Sequence, residues 1–361
     1  MKLDFISMDL PFLKIIHKKS LGIDIGTTSL KIVELSKYGK RIKLENYGEV
    51  SATTLYKKPF RTFEKSTLLL SSKDIARAIL AILEKAEIKT KETCFSIPDF
   101  SSFFTWFNLP VMSKEELPQA VEYEARQHIP MPLGEVTLDW QVIEDKIFDR
   151  KKDKLKILLV AVPNEVVNQY REIATISHLE LQALEAEVFS LLRASAKNEK
   201  KVTALIDFGA QSTTVNIIDQ GVLKISHSFD MSGNDLTENI SRSMSVDFEE
   251  AEKLKKKQGL LPEKNLREVL LPLIDSVLVE VKKISENFYQ TDGKNVEKVI
   301  LAGGSALLPG LKEYFTEQLN KEVVIADPFS DIFCPPILEK TLKKIGPSFT
   351  VAVGAALRNL E

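Results

Sequence analysis

"LGIDIGTTSLKIVEL", residues 21–35, decides the fold, because the chain carries the same phrase again as "ALIDFGAQSTTVNII", residues 204–218. Each copy has an apolar run, an aspartate, one residue, a glycine, a cluster of small or hydroxyl-bearing residues and a second apolar run. Asp24 and Asp207 hold the same place in the two copies. The first copy reads as two strands, "LGIDI" and "SLKIVEL", around a tight turn, with period-two alternation in the second. A β-turn-β unit written twice predicts an internal repeat, and such a repeat gives two lobes with a ligand between them.

Working outward, "RIKLENYGEVS" continues as a third strand. "SKDIARAILAILEKAEI" follows as a helix with Ser72 as its N-cap and Ile75, Ile79, Leu80, Ile82 and Leu83 as its apolar positions. The second copy is followed by "GVLKISHSFD", by a helix from about Ser232, and by "DFEEAEKLKKKQG". Next come the long helix "LREVLLPLIDSVLVEVKKISENFYQ", interrupted near its start by Pro272, and the strand-turn-helix "KVILAGGSALLPGLKEYFTEQL". "PSFTVAVGAALRNLE" ends the chain as a helix with small residues on one face.

Residues 91–179 have another texture and read as an inserted α/β unit. "TCFSIPDFSSFFTWFNLP" predicts two strands. A helix opens on the capping-box pair Ser113 and Glu116 and stops at Pro130 and Pro132. Strands "TLDWQVIEDK" and "KLKILLVAVP" flank the charged loop "DRKKD", and a further helix is capped by Asn164. Alternation puts Phe103 and Phe107 on one strand face and Phe104 and Trp106 on the other, so one aromatic set serves a core and the other covers a helix or receives a ligand. "ALEAEVFSLLRASAK" predicts a helix leading into the second repeat.

The repeated turn suits a phosphate. Gly22 and Gly26 admit close backbone approach, and Thr27, Thr28 and Ser29 supply hydroxyls and an N–H nest. Asp24 beside them would repel phosphate unless a cation such as Mg²⁺ bridges the two. Asp207, Gly209, Ala210, Gln211, Ser212, Thr213 and Thr214 repeat the arrangement, so two facing turns would clamp a triphosphate. Gly303 and Gly304, between a buried strand and a helix, are placed to lie against a base or a phosphate. Glu249, Glu252 and Lys255 share one helix face.

Composition narrows the classes. A net charge of -2, with 49 basic against 51 acidic residues, leaves no bulk attraction for nucleic acid. Two distant cysteines and four isolated histidines offer no metal or disulfide framework. No segment has the length of a membrane span, and the first twenty residues, with Asp4 and Asp9 among them, are not a secretory signal. That segment reads as an N-terminal extension or a short membrane-surface stretch, with Pro11 breaking any long helix.

Taken in order, these segments resemble the actin-like ATPase superfamily, which includes actin, MreB, FtsA and sugar kinases. "GIDIGTTSLKIVEL" and "LIDFGAQSTTVNII" resemble its two phosphate motifs, "EAEVFSLLRA" and "PSFTVAVGAALR" its two connecting helices, and "LAGGSALLPGL" its adenosine motif. Within it the chain is most similar to the PilM family of type IV pilus assembly proteins, through "EYEARQHIPMPL", "VAVPNEVVNQY" and "GVLKISHSFDMSGNDLTENI" as well. Phe208 and Gln211 depart from what similar proteins often carry.

The resemblance implies a two-lobed ribonuclease H-like α/β fold with an FtsA-type 1C subdomain at 91–179. Subdomain 1A would comprise 21–90, 180–200 and 335–361, subdomain 2A 201–244 and 293–334, and subdomain 2B 245–292, after an extension at 1–20. It implies ATP and Mg²⁺ as cofactors. Asp24 and Asp207 would face the metal, and Gly26, Thr27, Thr28, Ser29, Gly209, Ala210, Gln211, Ser212 and Thr213 would hold phosphates. Gly233, Glu249, Glu252, Lys255, Gly303, Gly304 and Ser305 would surround the nucleoside, and Glu187 would orient water, with slow hydrolysis or none. The implied partner is the N-terminal cytoplasmic tail of PilN, with pilus motor ATPases as further candidates and the inner membrane reached only through the partner.

Two other functions are open to this fold. An FtsA-like division protein would carry a C-terminal amphipathic membrane helix, and the chain stops at Glu361 directly after the last predicted helix. A sugar or acid kinase would need a catalytic acid beside its substrate pocket, and no additional acidic motif declares one.

Overall fold

The computed structural model describes residues 18–52, 59–64, 67–143, 154–261 and 265–361. Two five-stranded sheets repeat one topology. In the first, β1 (Lys18–Ile25) pairs antiparallel with β2 (Ser29–Tyr38), which pairs antiparallel with β3 (Arg41–Ser51). After the short hairpin β4 (Arg61–Glu64) and β5 (Thr67–Leu70) comes helix α1 (Ser72–Lys85). Strand β6 (Glu92–Ile97) then lies parallel to β1 on the side away from β2.

An inserted unit follows. Strand β7 (Phe103–Pro110), helix α2 (Leu117–His128), strand β8 (Val136–Val142) and strand β9 (Lys154–Pro163) form an antiparallel sheet of order β7-β9-β8 with the helix on one face. Helix α3 (Asn164–Ile176) and strand β10 (Glu180–Ala186) return the chain to the first sheet, where β10 lies parallel to β6. Helix α4 (Glu187–Ser195) leads to the second lobe.

There β11 (Thr203–Phe208), β12 (Thr213–Asp219) and β13 (Val222–Phe229) repeat the meander. Helices α5 (Gly233–Met244), α6 (Phe248–Gln258) and α7 (Leu266–Asp292) intervene before β14 (Lys298–Ala302), which is parallel to β11. Helix α8 (Leu311–Leu319), strand β15 (Glu322–Ile325), parallel to β14, and helix α9 (Glu339–Arg358) complete the chain. The orders β3-β2-β1-β6-β10 and β13-β12-β11-β14-β15 are the same plan twice, so the duplicated phrase is a duplicated lobe.

Apolar burial fixes the layers. Ile23 and Ile25 of β1 meet Ile75 and Ile79 of α1 and Val166 and Tyr170 of α3 on one face of the first sheet. Val33 and Leu35 of β2 meet Phe349 and Val353 of α9 on the other. In the second lobe Ile206 and Val215 pack with Leu236 of α5, Val277 of α7 and Phe315 of α8. Helix α9 comes so close to β1 and α4 that a Cβ on Gly22 would lie 2.0 Å from the Ala352 carbonyl oxygen, and one on Gly354 1.9 Å from that of Ser190.

Several sequence expectations change. The inserted unit is smaller than 91–179: β6 and α3 belong to the first sheet and its core. Residues 245–292 have no separate core among the described residues, because α7 packs on the second sheet. "ALEA", residues 183–186, is not helical, since Glu180–Ala186 finds a strand partner in β6, and α4 begins only at Glu187. Residues 18–20 are part of β1 rather than an extension. Helix α1 is preceded by Ser71, which donates its hydroxyl hydrogen bond to Asp74, so Ser72 is inside the helix. Asn164 does not cap α3: its amide donates to Gly134 O and its Oδ1 accepts from Thr137 Oγ1, tying the helix start to β8. The reciprocal Ser113–Glu116 bonds do form, but regular helix starts only at Leu117.

The two aromatic faces of β7 are used unequally, and Phe103 at the start of the strand is exposed. Phe107 joins the core beneath α2. Phe104 and Trp106 face a second cluster made with Val188 and Leu191 of α4 and Leu205, Leu223 and Ile300 of the second lobe. Trp106 Nε1 donates to Leu223 O at 3.2 Å. The second set therefore covers a helix, as one of the two expected alternatives has it, and bridges the lobes as well. The loop "DRKKD" and residues 1–17 lie outside the described residues. Among the described residues no helix is long and apolar enough to cross a membrane.

Candidate functional site

The two hairpin turns are built alike. Gly26 N donates to Ser29 O at 3.0 Å, and Gly209 N donates to Ser212 O at 3.1 Å. A Cβ would sit 2.7 Å from Ser29 O at Gly26 and 2.9 Å from Ser212 O at Gly209, so each turn closes only over a glycine. Neither residue has a positive φ, and nor does Gly22; space, not an unusual dihedral, is what these glycines supply. Each aspartate is the second-last residue of the first hairpin strand, with Asp24 opposite Lys31 and Asp207 opposite Thr214.

The turns meet across the cleft. Thr27 Oγ1 donates to Gln211 Oε1 at 2.9 Å, joining the lobes tip to tip. The second turn is also seated on α5: Gly233 N donates to Gly209 O and Asn234 N to Ala210 O. Ser232 caps that helix by accepting from Asp235 N. Thr28 O accepts from Ala52 N, fixing the first turn to the end of β3, and Ser29 opens β2 opposite Ser51. The Thr213 and Thr214 hydroxyls point elsewhere, to Met231 O and Ser228 Oγ.

Around the meeting point four carboxyl groups gather. Glu187 opens α4 and is buried, with Oε1 accepting from Arg61 Nη1 at 3.0 Å. Asp99, just after β6, is buried; its Oδ1 accepts from Val188 N at 3.0 Å, and its Oδ2 has no hydrogen-bond partner. Asp24 is buried and has a long ion pair, 3.9 Å, with Lys31. Burial lifts the Asp24 carboxyl above the usual range, against the pull of Lys31. Enclosure, together with Glu187 and Asp24, pushes Asp207 up to about 7. Burial and Glu187 raise Asp99 well above an ordinary carboxyl.

Two cations stand against these four acids. Arg61 Nε reaches toward Thr27 Oγ1 at 3.4 Å, and its guanidinium lies 5.4 Å from the centroid of the Phe100 ring. Burial opposes its charge, but Glu187, Tyr170 and Asp24 outweigh that and hold its pKa above the ordinary arginine value. Lys31 is the second cation. No group of three or more acids, histidines or cysteines among the described residues is arranged to hold a metal directly. The acid-rich donor set still fits a divalent ion that keeps its own water, as Mg²⁺ does.

The nucleoside side is mixed. Lys255 is buried, with Nζ donating to Gly233 O at 2.8 Å and Thr237 Oγ1 at 2.6 Å and pairing with Glu252 Oε2 at 2.6 Å. Burial lowers its pKa, against the pull of Glu252. This triad braces the start of α5 under the second turn. Glu249 is not with it: its side chain is exposed and pairs with Lys253 one turn along α6, because its position falls on the outer helix face. Gly303, at φ +85°, passes so close to the second turn that a Cβ would lie 2.4 Å from Asp207 Oδ1. A Cβ on Gly304 would meet nothing within 4 Å, leaving open space beside the backbone. Ser305 Oγ lies against Gly233.

Sequence reasoning missed Asp99 and Arg61. Asp99 had a signal: it follows the C-terminal end of a parallel strand, where α/β sheets place ligands. Arg61 had none, since its short hairpin shows no periodicity and the residue acquires its role only by reaching Thr27 and Glu187.

Twin lobes joined at paired Asp-x-Gly turns define an actin-like α/β fold. The chain belongs to the family described as type IV pilus assembly protein PilM, whose model matches residues 22–360. A solved structure described as the PilM-PilN type IV pilus biogenesis complex matches with a TM-score of 0.82 and 24% identity, over 95% of this chain and 98% of that one. The ethanolamine utilization protein EutJ from Carboxydothermus hydrogenoformans matches at 0.59 with 18% identity, over 94% and 89%. MreB 5 of Spiroplasma citri, solved bound to AMPPNP, matches at 0.52 with 13% identity, over 94% and 95%.

Proposed function

We propose that this type IV pilus assembly protein binds ATP with Mg²⁺ between its lobes and docks the N-terminal tail of a PilN-like membrane protein. The observation that carries the nucleotide reading is the pair of turns closed by the same hydrogen bond and joined through Thr27 and Gln211. Backbone N–H groups of two such turns offer an anion a grip from each lobe. The AMPPNP named for the MreB 5 structure supports the same reading. Gly26 to Ser29 and Gly209 to Ser212 would hold the phosphates, and Asp24 and Asp207 would hold the ion through its water. Gly304, with open space beside its backbone, would lie against the base, with Gly303 and Ser305 on either side.

Bound Mg²⁺ would supply charge neutralisation at the phosphates. Hydrolysis needs a carboxylate free to orient water, and Glu187 is held by Arg61 in this structure. Slow turnover follows, which suits a conformational clamp. The inserted unit transmits the clamp, because Trp106 fastens it to the second lobe. Its sheet leaves an outer edge on β7 and on β8 among the described residues, to which an extended tail can add as a strand. The protein would reach the inner membrane through that tail.

Titration calorimetry tests both parts. Mg-ATP should bind the wild-type chain, and Asp24→Ala should weaken it at least tenfold with the fold intact by circular dichroism. A synthetic PilN-like peptide should bind, with an affinity that depends on Mg-ATP. Equal ATP affinity in Asp24→Ala would remove the role given to that carboxylate.

A further inference from the structure

We infer that Arg61 is a phosphate-sensing residue, which exchanges the Glu187 carboxylate for the terminal phosphate of a bound triphosphate. The inference rests on the nucleotide reading above. Arg61 is tied to the first turn through the backbone, because Phe60 N donates to Thr27 O at 3.1 Å. Its side chain returns to the same threonine: Nε lies 3.4 Å from Thr27 Oγ1, the hydroxyl that bonds Gln211 of the other lobe. Where the two turns meet is where the end of a triphosphate gripped by both would lie. The guanidinium is thus already beside that position, held by Glu187 on one side and stacked over Phe100 on the other.

The charge balance gives the exchange its direction. Glu187 pairs with Arg61 and Asp24 with Lys31, so both cations already face a carboxyl group and the site as built has no spare positive charge for a phosphate. A terminal phosphate carries nearly two negative charges and three acceptor oxygens. An arginine fork matches it in two-bond geometry at least as well as it matches a carboxylate. When the guanidinium turns to the phosphate, Glu187 loses its partner and is free to orient water only while a triphosphate is present. With a diphosphate bound, the Arg61–Glu187 pair stays closed. The same movement pulls on the β4–β5 hairpin, since Arg61 is its first residue.

Calorimetry of ATP and ADP with the full chain and three variants tests this. Arg61→Gln should weaken ATP roughly tenfold, the scale of one charge-assisted hydrogen bond, and move ADP far less. Glu187→Gln, which releases the guanidinium, should tighten ATP severalfold. In the double variant that gain should vanish, because nothing remains to be released. Hydrogen exchange adds a readout independent of turnover: Mg-ATP, but not Mg-ADP, should change the protection of residues 59–64 in the wild type. Should Arg61→Gln fail to fold, Glu187→Gln decides alone, and unchanged or weaker ATP binding there overturns the inference. A gain that persists in the double variant, or equal losses of ATP and ADP in Arg61→Gln, also overturns it, since those mean simple charge removal or a general binding role. Wild-type chain that binds no nucleotide overturns the cleft reading and this inference together; binding without Arg61–Glu187 coupling overturns this inference alone.

Discussion

The chain contains two tryptophans, and the fold puts them on opposite faces of the inserted unit. Trp140 packs beneath α2, inside the unit. Trp106 packs across the lobe junction and donates to Leu223 O at 3.2 Å. Trp140→Phe therefore leaves a single fluorophore at the junction, and Trp106→Phe leaves one that should ignore it. If nucleotide changes the lobe angle, Mg-ATP should shift the emission of the Trp140→Phe protein and leave that of Trp106→Phe unchanged. The energetic side follows from the same geometry. Full truncation of a buried Trp costs about 3–5 kcal/mol. Trp106 is half-buried and makes one hydrogen bond, worth about 1 kcal/mol, so Trp106→Ala should lower stability by about 2–3 kcal/mol in urea. It should also uncouple peptide binding from Mg-ATP, because the unit then loses its fastening to the second lobe. A nucleotide response carried by Trp140, or an Ala variant within 0.5 kcal/mol of wild type by the usual scatter of surface changes, would refute the bridging argument.

Other expectations follow from the site's charges. Asp207 has a folded pKa raised to about 7 against about 3.9 for a free aspartate, so the folded chain holds a proton that the unfolded chain releases. Without nucleotide, the contribution of Asp207 to stability should be complete below about pH 4, be lost as pH rises from about 4 to about 7, and be absent above; Asp207→Asn, compared with wild type in urea titrations at stepped pH, should remove that component. Lys255→Met should cost about 2 kcal/mol and weaken ATP, because Glu252 loses a 2.6 Å partner and Gly233 O one of its donors; unchanged thermal denaturation would show that the triad is not a brace.

Much of this was legible in the sequence because repetition amplifies weak signals. One Asp-x-Gly turn is ambiguous, but two in equivalent hairpins carried the reading, and the hydrogen bonds at Gly26 and Gly209 are indeed the same. What failed was whatever depended on a distant partner. "ALEA", at the head of the expected helix, has helical residues, yet β6 offers an open edge and the segment pairs with it. β15 is four residues long, too short for a period, and is defined by its parallel register with β14. β6 and α3 adjoin the inserted unit in sequence but pack with the first lobe, and sequence adjacency does not show which of the two cores a segment joins. Three-residue spacing groups Glu249 with Glu252 and Lys255 without saying which way each side chain points, and Glu249 faces outward to Lys253.

The lobes share a plan but differ in what surrounds their turns, and the difference divides the labour. Around the first turn stand the groups able to respond to phosphate charge: Arg61 at Thr27, Glu187 at the start of α4, and Asp99 with one oxygen unpartnered. Around the second stand groups that hold it still, namely the first turn of α5, the Lys255–Glu252 pair and the tight passage of Gly303 beside Asp207. A ligand gripped by both would meet a rigid floor on one side and a rearranging partner on the other. The rearranging side also adjoins the inserted unit, since Asp99 and Glu187 lie in the segments just before β7 and at the start of α4, against which Phe104 packs through Phe189. A change in Arg61 pairing would therefore be transmitted through α4 into the sheet proposed to take up the tail, and the nucleotide state and the partner state would become readings of one element.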